Sequence, residues 1–156
     1  KSGKRAEITI DDPDLVGVMT ALVERPGRGG RLLVWIESDN QAEAPWHEVS
    51  SSDVGTYLRE VLGEEATPKD FRTWHATVLA ARGLAAHGDP PRAQAARRRV
   101  VAEVVREVSA ELGNTPAVCR ASYIDPRVID QWERGETIGR PRTLEGAERK
   151  VRALLS

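Results

Sequence analysis

A mainly helical protein with a small β element is the fold class that this sequence predicts, on three observations. Three segments open with a capping residue and proline: Asp12-Pro13, Thr67-Pro68 and Thr115-Pro116, and proline suits the first helical turn because its missing N–H would have no partner there. Val101, Val104, Val105, Val108 and Leu112 repeat at the i, i+3, i+4, i+7 spacing of a helix face. Alternation of apolar and polar residues, the mark of a strand, is confined to Ala6–Ile10 and to short stretches before residue 50.

Taken in order, Ala6–Ile10 reads as a strand with Ile8 and Ile10 on one face, its hairpin partner expected upstream of Lys1. Asp12, Pro13 and Asp14 then start a helix that runs to about Arg25. Pro26–Gly30 is a glycine-rich basic loop. Leu32–Ile36 fits either a short strand or a turn of buried helix, and Trp46–Val49 a short extended piece. Ser52 is placed as the cap of a helix from Asp53 to about Leu62, stopped by Gly63. Thr67, Pro68 and Asp70 give a strong helix start, and that helix ends near His87, before Gly88-Asp89-Pro90-Pro91. Arg92–Leu112 is expected to be the longest helix, ended by Gly113 in the left-handed conformation. Shorter helices are predicted from Pro116, over Pro126–Arg134 and over Thr143–Leu155.

One domain with a real core accommodates 156 residues. The 40% hydrophobic and 30% charged content is that of ordinary water-facing domains, and the apolar runs are too short to cross a bilayer. A single cysteine, Cys119, excludes an internal disulfide framework and a cysteine-rich zinc site, and makes an intracellular, reducing setting the default. The chain opens at Lys1 with neither initiator methionine nor signal sequence, as expected of a piece of a longer protein. A net charge of -1 argues against nucleic acid as a partner, since most DNA-binding domains carry a clear basic excess. Basic residues nonetheless cluster at Lys1, Lys4 and Arg5, at Arg25, Arg28 and Arg31, and at Arg92 and Arg97–Arg99. Acids gather elsewhere, at Glu43, Glu48, Asp53, Glu60, Glu64 and Glu65, so a basic face opposite an acidic one is compatible with the total.

Two segments carry chemistry. Gly113-Asn114-Thr115-Pro116-Ala117-Val118-Cys119-Arg120-Ala121-Ser122-Tyr123 places a polar amide nine residues before a tyrosine, across a capped helix start. Thr67-Pro68-Lys69-Asp70-Phe71-Arg72-Thr73-Trp74-His75 supplies cations at another helix start. Together they resemble the catalytic domain of type IB DNA topoisomerases, in particular the short bacterial, poxvirus-like branch. In that family a Lys-Asp-x-Arg-Thr-aromatic helix start is matched by Lys69 to Trp74, and a Gly-(His or Asn)-Thr-Pro…Tyr segment by Gly113 to Tyr123. The basic run Lys1–Arg5 adds a weaker match, and the likeness covers residues 1 to about 135.

The resemblance implies the tyrosine recombinase/type IB topoisomerase catalytic fold, here without its upstream hairpin strand and DNA-clamping domain. It implies attack by Tyr123 on a phosphodiester of double-stranded DNA. A free phenol titrates near about 10, so this oxygen loses its proton as it attacks. Charge then develops on the non-bridging phosphate oxygens, where Arg72 offers a planar two-pronged donor at a helix start. Asn114, at a position that is histidine in much of the superfamily, donates a hydrogen bond from its amide but cannot act as a base; it also fits as a C-terminal helix cap beside Gly113. The resemblance assigns the proton for the departing 5′-oxygen to Lys4, with Lys1 second, and DNA-backbone contacts to Lys69 and Arg120. Lys1, Lys4, Lys69 and Arg120 also fit as solvent-exposed charges.

Tyr57 lacks the surrounding motif and reads as packing, and Phe71, Trp74 and Val78 as one core-facing stripe. Gly3-Lys4 imitates the end of a phosphate-binding loop, but Arg5 stands where Ser or Thr is needed. His47, His75 and His87 show no zinc spacing, and Asp11, Asp12 and Asp14 suit a helix cap better than a metal. Storing the broken bond's energy in a phosphotyrosine requires neither ATP nor metal, so no cofactor is expected. The expected setting is the bacterial cytoplasm beside the nucleoid, the expected state a monomer. Two other readings stand beside this one: a tyrosine recombinase, which usually has histidine where this chain has Lys69, and a DNA-binding module without catalysis.

Overall fold

The computed structural model describes residues 9–25, 30–36 and 45–156. The chain divides into two compact units, one ending at Pro68 and one running from Lys69 to Ser156. The architecture is mainly helical with one small sheet, the predicted fold class.

In the first unit α1 spans Pro13–Glu24, with the Asp12 carboxylate accepting the Asp14 and Leu15 amides at 3.0 Å. The alternative left open at Leu32–Ile36 resolves as a strand. β1 (Val34–Trp35) pairs antiparallel with β2 (His47–Glu48), Val34 opposite Glu48 and Trp35 opposite His47. The Trp35 and His47 rings stack across the pair, centroids 4.8 Å apart. Arg25 reaches from the end of α1 to the Arg31 carbonyl at 2.7 Å and lies 5.9 Å from the Trp46 ring.

Helix α2 spans Ser51–Leu62, and its cap corrects the sequence reading: Ser50, not Ser52, is the capping residue. Ser50 has an acid three residues on, so its hydroxyl takes the Asp53 amide at 3.2 Å while the Asp53 carboxylate takes the Ser50 amide at 2.7 Å. Ser52 has no acid at that spacing, and reciprocal capping selects the serine that does. No described residue of this unit is buried. Tyr57 is accordingly 62% exposed rather than packed, because α2 has a face suited to burial that no described residue covers. The strand expected at Ala6–Ile10 falls mostly outside the described residues, and Thr9 and Ile10 belong to no strand.

The second unit holds the core. α3 (Pro68–His87) outlasts α4 (Gln94–Glu111), which sequence reading had expected to be the longest helix. From α3 come Ala76, Val78, Ala80, Ala81, Leu84 and Ala85, and from α4 the predicted stripe of Val101, Val104, Val105 and Val108. Small residues let the two helices approach closely: a β-carbon on Gly83 would lie 2.9 Å from Val104 Cγ1. Phe71 departs from its predicted stripe and is 52% exposed. It lies on the first turn of α3, ahead of the stretch where burial begins at Ala76.

α5 (Pro116–Ser122) packs on α4, and α7 (Leu144–Leu155) on α6 (Arg127–Glu133). Thr143 caps α7 through the Gly146 amide at 3.1 Å. Trp132, 1% exposed, fills the centre of this half and donates its indole N–H to the Gly88 carbonyl at 2.9 Å. A buried indole N–H without such a partner would weaken the core, so the turn after α3 and helix α6 are specified together. Among the described residues no helix is long and apolar enough to cross a membrane.

Candidate active site

The site is assembled at a helix end. α4 stops at Leu112, after which Gly113 adopts φ +68°. The Gly113 amide bonds the Ala110 carbonyl at 3.2 Å, and the Asn114 amide reaches back to Ser109 at 2.9 Å. These paired bonds are the Schellman closure of a helix, which needs glycine at the left-handed position. Thr115 then caps α5 by accepting the Val118 amide at 3.3 Å, with Pro116 in the first turn. Seven residues of helix deliver Tyr123, whose amide closes on the Cys119 carbonyl at 3.0 Å.

Arg72 enters from α3. Its guanidinium donates to the Leu112 carbonyl at 3.0 Å, where the end of α4 attracts a cation. The same group lies over the Tyr123 ring, 5.2 Å from its centroid. The structure thus brings together the two chemistry-bearing segments: one cation touches the exit of α4 and the face of the tyrosine. Arg72 is exposed and Tyr123 half-buried, so both are open to an incoming ligand.

Asn114 contributes differently from its neighbours. Its backbone makes the helix closure, while its side-chain nitrogen is buried without a hydrogen-bond partner among the described residues. Capping by the side chain therefore does not explain why an amide stands here. A buried donor left unpaired is unfavourable by about 1–3 kcal/mol, and an acceptor supplied by a ligand relieves that.

Lys69, in the first turn of α3, and Arg120, in the last turn of α5, are exposed. Lys4 and Lys1 lie outside the described residues. Beneath the site Cys119 is fully buried, and that burial pushes its thiol above the ordinary range while Arg72 opposes the shift. Just past the tyrosine, Asp125 pairs with Arg127 at 2.7 Å. The Arg127 hydrogen bonds hold the Asp125 carboxyl below the usual carboxylate range, with burial pulling the other way. Arg127 also donates to the Leu155 carbonyl at 2.9 Å, joining the start of α6 to the end of α7. Among the described residues no group of His, Cys, Asp or Glu is arranged to hold a metal ion.

Sequence reading missed Thr77. It is buried in α3, and its hydroxyl accepts the Asp125 amide at 3.0 Å while lying 3.4 Å from the Tyr123 carbonyl. A threonine between Ala76 and Val78 in an apolar stripe is the one signal that was available, and it does not name its distant partners.

Comparison with known proteins gives the chain's family. The family model for the catalytic core of eukaryotic DNA topoisomerase I matches residues 31–135, a span that contains Lys69, Arg72, Asn114, Arg120 and Tyr123. The chain belongs to that family of type IB topoisomerase catalytic cores. It is also similar to DNA topoisomerase 1B of Acanthamoeba polyphaga mimivirus, 27% identical over 135 residues, which cover 85% of this chain and 40% of the relative. The chain thus spans about 40% of the length of that curated relative.

Proposed function

We propose that this chain carries the strand-cutting chemistry of a DNA topoisomerase, of the short bacterial, poxvirus-like kind, acting as a monomer on double-stranded DNA. The Tyr123 oxygen attacks a backbone phosphorus, forming an O–P bond as the bond to the 5′-oxygen breaks. The phenolic proton leaves, and the 5′-oxygen departs with a proton supplied by Lys4 or Lys1. The products are a 3′-phosphotyrosyl link and a free 5′-hydroxyl, and the reverse attack reseals the strand once the duplex has rotated. The number of phosphodiester bonds is conserved across the cycle, so the reaction needs no ATP.

Charge on the non-bridging oxygens is met by Arg72 and by the Asn114 amide. Arg72 exchanges its contact with the Leu112 carbonyl for the phosphate, a stronger acceptor because it is charged. Removing one such donor costs about 10²- to 10³-fold in comparable sites. Lys69 and Arg120 neutralise flanking phosphates, which gives binding that weakens with salt.

The observation that carries this reading is the Arg72 guanidinium lying 5.2 Å from the Tyr123 ring, between two segments far apart in the sequence. The test is relaxation of supercoiled plasmid with EDTA present and nucleotide absent, assayed for this chain alone and within the longest polypeptide that carries it. Relaxation that vanishes in Tyr123→Phe supports the reading. Relaxation that strictly requires magnesium or ATP, or that survives Tyr123→Phe, contradicts it.

A further inference from the structure

We propose that Thr77 is a positioning residue for Tyr123: a buried hydroxyl through which α3 fixes the tyrosine backbone relative to Arg72 on the same helix. The proposal rests on the reading of Tyr123 as the nucleophile. Thr77 is 2% exposed, and its oxygen meets three backbone groups. Its proton goes to the Thr73 carbonyl at 2.7 Å, the usual i−4 acceptor for a helical threonine. Its lone pair accepts the Asp125 amide at 3.0 Å, and the Tyr123 carbonyl lies 3.4 Å away. The hydroxyl therefore bridges the groups on either side of Ile124, whose side chain is itself buried.

Two elements hold the Tyr123 backbone. The Tyr123 amide, and the Ile124 amide that follows it, both bond the Cys119 carbonyl of α5, at 3.0 and 3.2 Å. On its C-terminal side the bond to Thr77 ties the chain to α3. α3 carries Arg72, so one helix sets both the cation and the place where the tyrosine segment docks. The contact between the Arg72 and Tyr123 side chains is exposed and is a weak constraint by comparison. Thr77 is buried, and without its hydroxyl the Asp125 amide loses the acceptor that ties it to α3, which frees the segment to shift. In-line attack tolerates little displacement: about 1 Å of misplacement costs about 10²-fold.

The test compares Thr77→Val, which keeps the shape and removes the hydroxyl, with Thr77→Ser, which restores the oxygen. The first readout is amide hydrogen exchange at Asp125 in this chain. Valine is expected to speed it by about tenfold or more while Val104 and Val105 keep their protection, and serine to return it toward wild type. Unchanged exchange at Asp125 in the valine variant overturns the clamp. Should valine disturb the Val104 and Val105 amides as well, Thr77→Ala is measured in its place by the same criteria. The second readout is single-turnover formation of the covalent DNA adduct. The hydroxyl-free variant is expected to be about 10- to 100-fold slower at saturating DNA, with duplex affinity within about twofold and the serine variant within about threefold of wild type. Wild-type rate in the hydroxyl-free variant, or a serine variant as slow as valine, overturns the positioning role. An adduct that forms elsewhere than Tyr123, or none in the wild type, overturns the nucleophile assignment instead, and the exchange measurement tells the two failures apart.

Discussion

Gly113→Ala isolates the geometry that delivers Asn114 and Tyr123 to the site. Gly113 sits at φ +68°, and a β-carbon built there meets no atom within 4 Å. No clash enters the cost, which is the conformational penalty of a left-handed L-residue, about 1–2 kcal/mol. The unfolded chain of the alanine variant has fewer conformations to lose, which returns about 0.4–1 kcal/mol. The net destabilisation is therefore about 1 kcal/mol, and a few degrees in melting temperature for a unit of this size. Gly113→Asn should retain most of the wild-type stability, because asparagine visits this region readily. The assay is urea unfolding, where the alanine midpoint should fall with the slope unchanged. An alanine variant as stable as wild type would refute a left-handed closure at this position. A loss above about 3 kcal/mol would refute the open space around it, since only steric overlap adds that much.

Asn114→Ala should leave stability no lower than wild type, and up to about 1–3 kcal/mol higher, because the backbone makes the helix closure and the lost side-chain nitrogen is a buried donor with no partner among the described residues. It should slow adduct formation by about 10²-fold with little change in duplex binding, whereas Asn114→His should keep activity, and equal rates for alanine and wild type would leave Asn114 no part in the chemistry. Asp125 has a folded pKa depressed below its unfolded value of about 3.9, so the stability it contributes is complete above that pH and is lost as pH falls through the folded value. Urea midpoints from neutral pH down into this acid range should fall more steeply for wild type than for Asp125→Asn, and identical acid profiles would contradict the pairing with Arg127.

Most of the helical framework was legible because its signals are local. A cap and a proline start a helix wherever they stand, which placed α1, α3 and α5, and a valine stripe shows which face of α4 is apolar. Local signals do not say whether a face is covered. Tyr57 and Phe71 satisfy helical periodicity and still face water, since burial depends on what packs against them. Three serines in a row offered three caps, and only the reciprocal bond with Asp53 selects Ser50. The candidate site was legible as a proposal through Arg72, Asn114 and Tyr123, whose segments have distinctive spacing. Thr77 was not, because its contacts are with residues almost fifty positions further along the chain.

The most direct measurement is the identity of the residue that becomes joined to DNA. Duplex DNA carrying a cleavable strand that cannot be resealed is incubated with the protein in EDTA, the complex is denatured and digested, and the modified peptide is sequenced by mass spectrometry. The expected products are a nucleotide linked through its 3′-phosphate to Tyr123 and a released strand with a 5′-hydroxyl, with no adduct in Tyr123→Phe. A nucleotide on Tyr57, a linkage through a 5′-phosphate, or a trapped complex that persists in Tyr123→Phe would contradict it.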